Sequence, residues 1–175
     1  MSNFLSTKII LTETEYGVLL GNTLAHFLSN RKQSSSKVQI ARTVFIPSLD
    51  DETLEVRATT NTKEQKYRTA IIFDDIEWLD EKEPNSASII GSDNNEYYLT
   101  RIPLNNIDVK VKCSCLDFYY RFAVWNHRDQ SLIGKPPPPY IKTTDRPPVN
   151  PSRVPGVCKH IIKLLDTLMA KRLFR

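Results

Sequence analysis

Three cysteines and one histidine fall into two tight pairs. The run from Ile107 to Cys115 alternates apolar and polar residues with the period of a strand, so Cys113 and Cys115 project from the same face. After forty-two intervening residues comes Cys158-Lys159-His160, at the head of a run with helical spacing (Ile161, Ile162, Leu164, Leu165, Leu168, Met169), with Pro155-Gly156 as its lead-in. The pattern C-x-C-x42-C-x-H supplies three thiolates and an imidazole, the number and softness of ligands that tetrahedral zinc prefers. An odd cysteine count and no export signal argue against a disulfide framework. The start of a helix lowers the pKa of Cys158 and so promotes the thiolate. Four protein ligands close the site to water, and closed sites are structural. The expectation is one structural zinc ion on Cys113, Cys115, Cys158 and His160. The competing reading is three unrelated buried cysteines with His160 satisfied in a core, and the pairing of all four residues argues against it. A catalytic Cys158 is disfavoured: His160 is too close along one helix to act as its base, and neither it nor His127 has an evident orienting carboxylate or amide.

Other chemistry is thinner. Asp74, Asp75 and Glu77, with Asp80, Glu81 and Glu83, follow a strand and could be offered as a magnesium site, but a solvated acidic edge or a docking face for a basic partner fits better. The five glycines are not grouped, so there is no phosphate loop. Asp117 is placed to cap a helix running to about His127 that holds Phe118, Tyr119, Tyr120, Phe122 and Trp125. These aromatics read as core plus contact with the segment 129–157, which carries Pro136 to Pro139 in an extended form interleaved with Lys135, Lys142, Arg146 and Arg153. That segment is too long for an ordinary loop and suits recognition by neighbouring subunits.

The elements that position these residues follow from periodicity. Thr12-Glu13-Thr14-Glu15 has capping-box spacing, and Tyr16, Leu19, Leu20, Leu24, Phe27 and Leu28 predict a helix over about 13–29, ending near Asn30 before a polar connection to Lys37. His26 lies near its end in a surface role. From residue 38 the period becomes two. Strand-like runs at 38–46, 54–59, 67–73, 88–90, 97–102 and 107–113 are separated by turn signals such as Pro47-Ser48, Asn61-Thr62 and Gly91 to Asn95. The fold class is therefore α+β: an antiparallel sheet of five or six strands with an N-terminal helix, then a zinc-pinned module of two helices and a long proline-rich loop.

Composition marks the same division. The chain has 175 residues, a formal charge of +4, 40% apolar and 25% charged residues, which suits one globular unit and excludes wholesale disorder. Residues 1–112 hold 13 basic and 16 acidic side chains, and residues 113–175 hold 11 and 4. Eight of the eleven prolines and all the cysteines lie in the second part. We divide the chain into an α+β scaffold (1–106) and a zinc-binding module (107–175) with a proline-rich insertion at 129–157, the two forming one compact unit. No apolar run approaches the ~18 residues of a membrane span, so no membrane role is expected.

The arrangement C-x-C…C-x-H, with one pair on a strand end and the other opening a helix, resembles the SWIM-type zinc finger over residues 107–170. The resemblance places the ligands on Cys113, Cys115, Cys158 and His160, although the insertion between the pairs is longer than usual for that family. The runs Cys113-Ser-Cys-Leu-Asp-Phe-Tyr-Tyr-Arg-Phe-Ala, Lys135–Tyr140, Thr144-Asp-Arg-Pro-Pro-Val-Asn-Pro and Pro155-Gly-Val-Cys-Lys-His are similar to small proteins of tailed bacteriophages, especially large marine ones. That likeness implies a virion structural component rather than an enzyme: part of a tail, baseplate or connector, present in multiple copies and binding protein neighbours. Location would be the virion if the chain is phage-encoded and otherwise the cytoplasm. The alternative is a nucleic-acid-binding zinc module, suggested by the basic C-terminal region and weakened by its dispersed charge.

Overall fold

The computed structural model describes residues 15–27, 35–63, 65–104, 106–138, 143 and 145–175. The expected capping box at Thr12, the stop at Asn30, residues 31–34 of the polar connection, and Pro139, Tyr140, Lys142 and Thr144 lie outside the described residues.

The chain forms α1 (Tyr16–Phe27), a short 3-10 turn (Ser35–Lys37), β1 (Gln39–Ser48), β2 (Thr53–Asn61), β3 (Lys66–Phe73), β4 (Trp78–Leu79), β5 (Ser86–Ile90), β6 (Glu96–Thr100), β7 (Val109–Cys113), α2 (Leu116–Arg121), α3 (Ala123–Arg128) and α4 (Lys159–Ala170). All six strand-like runs form strands, with β4 in addition. They make two antiparallel sheets instead of one: four strands in the order β1-β2-β3-β7, and three in the order β4-β6-β5. Period-two patterning marks strands but not their partners. β3 pairs with β7, so residues 74–108 leave the main sheet and return, building the small sheet on the way. The two sheets touch where Ser92 N donates to Phe45 O at 2.8 Å.

Alternation gives the main sheet two unlike faces. Leu54, Val56, Ala58, Ile71, Phe73, Val109 and Val111 are buried on the inner face. Across it lies α4, which buries Ile161, Leu164, Leu165 and Leu168 at the i, i+3, i+4, i+7 spacing of an amphipathic helix. Each such side chain contributes about 1.5–3 kcal/mol over exposure. On the other face Arg42, Arg57, Lys66, Arg68 and Lys112 are exposed. α1 joins the same core through Tyr16, Leu19 and Phe27, and Phe27 meets Phe122 edge-on at 5.4 Å. The core runs without a break across residue 106. Among the described residues, no helix is long and apolar enough to cross a membrane.

The aromatic helix differs from expectation. It breaks into α2 and α3 at Phe122, and the N-cap of α2 is Cys115, whose Sγ accepts from Phe118 N at 3.3 Å. Asp117, expected to cap, sits inside the first turn and pairs with Arg121 at 3.1 Å. Phe118 and Phe122 are buried, whereas Tyr119 and Tyr120 are exposed.

The segment after α3 is tied down at both ends by backbone and amide hydrogen bonds. Residues 131–133 run alongside β7, with Val111 N donating to Ser131 O (2.8 Å) and Ile133 N to Val111 O (3.1 Å), which covers that strand's outer edge. Buried Asn126 donates to Gly156 O (3.1 Å) and accepts from Gly156 N (2.9 Å), and Asn150 donates to the carbonyls of Arg121 and Val154.

Gly156 sits so close to its neighbours that an added Cβ would meet the Phe122 ring at 2.6 Å and Thr23 Oγ1 at 2.7 Å. Gly156→Ala should therefore cost about 1–3 kcal/mol through overpacking. Gly21, inside α1 with nothing within 4 Å, is the control: Gly21→Ala should be neutral or gain up to about 1 kcal/mol. Urea unfolding of the two variants checks the contrast, and equal midpoints would contradict the close approach.

Candidate metal centre

The four expected ligands meet. Cys113 ends β7, paired with Thr69, and Cys115 lies two residues beyond at the N-cap of α2. Cys158 is the N-cap of α4 and His160 lies in its first turn. All four are buried, and their ligand atoms lie within 4.8 Å of one another. His160 Nδ1 is 3.7 Å from Cys113 Sγ and 3.8 Å from Cys158 Sγ. This is a donor set that could hold a metal ion, contributed from the end of a strand and the starts of two helices.

Local backbone pairing sets the geometry. Past Cys113 the β3–β7 ladder is continued by Ser114: its N donates to Arg68 O at 2.9 Å, and its Oγ accepts from Arg68 N at 2.9 Å. That fixes the bend that swings Cys115 back over the cluster. On the other side, Thr23 Oγ1 accepts from Val157 N (2.8 Å) and has Leu19 O and Val157 O within reach of its one proton (3.0 and 3.2 Å), clamping the residue before Cys158. The His160 ring packs on Tyr67, with centroids 4.4 Å apart, and its Nε2 is buried without a hydrogen-bond partner among the described residues. Packing against Tyr67, rather than the carbonyl or carboxylate usual behind a metal-binding histidine, holds the ring.

The electrostatics of the sulfurs ask for a cation. Hydrogen bonds from Cys113 and Cys158 hold Cys115 far below the usual thiol range. Its contact with Cys115 pushes Cys113 up, and burial pushes Cys158 up, so the lowering expected from the helix start does not prevail there. Three thiols this close cannot all ionise unaided, and a bound cation is what reverses that balance.

Other residues singled out in the sequence lie elsewhere. His127 is exposed on α3, outside the cluster. His26 is exposed at the end of α1, with Nδ1 3.0 Å from Ser152 Oγ. Asp74 pairs with Lys110 at 2.9 Å. Among the described residues the acidic run forms no group that could hold a metal. Trp125 lies under Arg128, 4.6 Å from ring centroid to guanidinium. Lys135, Arg146 and Arg153 are exposed. Thr23, Ser114, Asn126 and Tyr67 were not anticipated. The legible signal for Thr23 is its place on the buried stripe of α1, between Leu19 and Phe27.

No protein-family model, curated protein or solved structure matches the chain. What the centre can do must be read from its own geometry, and that geometry gives Thr23 a part in it. Thr23→Val keeps the shape but leaves the buried Val157 N–H without its acceptor, a loss of about 1–3 kcal/mol. Metal retention against a chromogenic chelator should fall about tenfold, as for other supports behind a ligand, with helicity by circular dichroism unchanged. Unaltered retention would show that the clamp does not hold Cys158 in place.

Proposed function

We propose that the chain is a zinc-locked, non-enzymatic structural or assembly protein that binds neighbouring protein subunits, as a component of a tailed-phage virion. The observation that carries this reading is the closed donor set. Tetrahedral zinc, with bonds of ~2.3 Å to sulfur and ~2.0–2.1 Å to nitrogen, spaces those ligands by ~3.6 Å. The 3.7 and 3.8 Å separations at His160 suit it. Three cysteines and a histidine are a soft, four-coordinate set that favours zinc over harder cations and leaves no position for a reacting water. The ligand order, Cys113 at a strand end with Cys115 just beyond it and Cys158 with His160 at a helix start, supports a SWIM-type site. The virion setting is supported by the resemblance of the runs around Cys113 and Cys158.

Contact surface stands next to the centre. Leu116, Tyr119 and Tyr120 share one side of α2 at i, i+3, i+4 spacing and are all exposed, the kind of aromatic-rich stripe that anchors protein interfaces. Pro136 and Pro138 are exposed beyond it. A nucleic-acid role is the second reading, favoured by the exposed cations on the open face of the main sheet. Register places no aromatic side chain on that face, so bases have nothing there to stack on.

Freshly purified, unchelated protein should contain one zinc per chain, and less than about a tenth of an equivalent would sink the zinc reading. Stripping the metal should speed hydrogen exchange at 113–128 and 157–164 while the β1–β2 ladder stays protected, because ligand binding couples to local folding. Exchange that rises equally everywhere, or nowhere, would contradict a structural role confined to this junction.

A further inference from the structure

Charge in this chain is segregated by the fold. Residues 43–56 and 69–100 carry twelve carboxylates against a single cation, Lys82, a balance of −11, while the remainder of the chain carries +15. These two stretches meet at one end of the main sheet. Ile76 N donates to Glu52 O at 2.7 Å, and Ser92 N to Phe45 O at 2.8 Å. A cavity of about 390 Å³ opens there, lined by Leu49, Glu52, Asp75, Ile76, Glu77 and Trp78. Three carboxylates beside an indole and two aliphatic side chains suit a lysine or arginine: the acids take the charged head and the apolar wall takes the stem.

Five exposed cations, Arg42, Arg57, Lys66, Arg68 and Lys112, stand on the open face of the four-stranded sheet, together with Glu55, one of the twelve carboxylates. Register sets Arg42, Thr59 and Arg68 in one row across the strands, and Val44, Arg57, Ala70 and Lys112 in the next. Lys66 extends the face beyond them. Arg42, Lys66, Arg68 and Lys112 are all exposed, and Glu55 is the acid among them, paired with Arg57 at 2.7 Å.

We infer that the acidic lobe of one copy of this chain docks on the basic sheet face of another, with a basic side chain of that face entering the acidic cavity. Charge complementarity within one chain argues for a second copy. Single-stranded nucleic acid would want stacking platforms that this face lacks. Because the two surfaces differ, the contact is head-to-tail and propagates into a ring or filament. Four strands ~4.8 Å apart and about eight residues of ~3.3 Å rise give a face on the order of 500 Å². That is below the ~800 Å² per partner of a stable specific interface, so a single contact is weak and salt-sensitive. The inference deepens the assembly reading by naming the partner, and it is tested independently of zinc.

The test is sedimentation velocity on the metal-loaded full chain from ~10 mM to ~1 M salt, over which the screening length falls from ~30 to ~3 Å. Expected is a mass that rises with protein concentration at low salt and collapses to monomer at high salt. Arg42→Glu with Arg68→Glu spoils the basic face, and Asp75→Asn with Glu77→Lys spoils the acidic lobe. Each double variant should be monomeric alone. Mixed in equal amounts they should form a dimer and stop there, since each retains the half the other lacks; this also shows that both are folded. Parent protein that stays monomeric at low salt, variants that associate as the parent does, or a mixture that stays monomeric would each overturn the inference. Zinc-loaded monomer would do so while leaving the zinc-locked reading intact. Monomer that binds duplex DNA, and loses it on Arg42→Glu with Arg68→Glu, would assign the face to nucleic acid instead.

Discussion

The arrangement depends on closing one contact: the end of β7 against the start of α4, through four side chains whose ligand atoms lie within 4.8 Å. Everything between Cys115 and Cys158 is an excursion that must return to this point. Joining the ends of a flexible loop of that length costs about 3 kcal/mol in chain entropy. Structural zinc in small peptides contributes roughly 10–16 kcal/mol at neutral pH, so on the proposed reading the closure is readily offset. The hydrogen bonds of Asn126 to Gly156 and of Asn150 to Arg121 and Val154 shorten the free part of the excursion further. A long insertion is therefore compatible with a tight site.

The clustering of these four residues was legible because their chemistry is rare and their spacing local. Cys113 and Cys115 were expected on one face of a single strand, but the strand ends at Cys113 and the bend at Ser114 brings Cys115 to the cluster instead. Cys158 and His160 open a helix, as the apolar periodicity just after them indicated. The strand runs were legible for the same reason, as alternation is a property of neighbours in sequence. Partition into two sheets was not, because pairing of β3 with β7 across residues 74–108 is decided by distant residues. The break at Phe122 was hidden by a sequence that reads as helical on both sides of it. The capping role of Cys115 was hidden by Asp117, a better-known cap in a worse place.

Composition pointed to a boundary near residue 112, with acids before it and bases after. The fold draws a different line. β2 carries the chain from the acidic turn at residues 50–52 to the far end of the sheet, and β3 brings it back to Asp74. Lys63, Lys66 and Arg68, near the β2–β3 turn, therefore stand at the opposite end from the acids at 50–52 and 74–77. Strands of eight or nine residues convert alternating charge blocks into a polar molecule. The ion pair of Lys110 with Asp74 lies where the basic face meets the acidic lobe.

These two features meet at Ser114. It lies between the two cysteines of the first pair, and its backbone and hydroxyl hold the backbone of Arg68 on both sides. The neighbouring register pairs Lys112 with Ala70. The edge of the basic face is thus fixed to the same few residues that present sulfur to the buried cluster. A weak electrostatic contact gains from surfaces that are already ordered, because mobile arginines and lysines lose about 0.5–1.5 kcal/mol each when immobilised. Locking β7 against α4 restrains the backbone beneath those side chains before any partner arrives. In this fold the buried cluster, which exposes almost nothing itself, sets the shape of a face whose arginines and lysines stand in solvent.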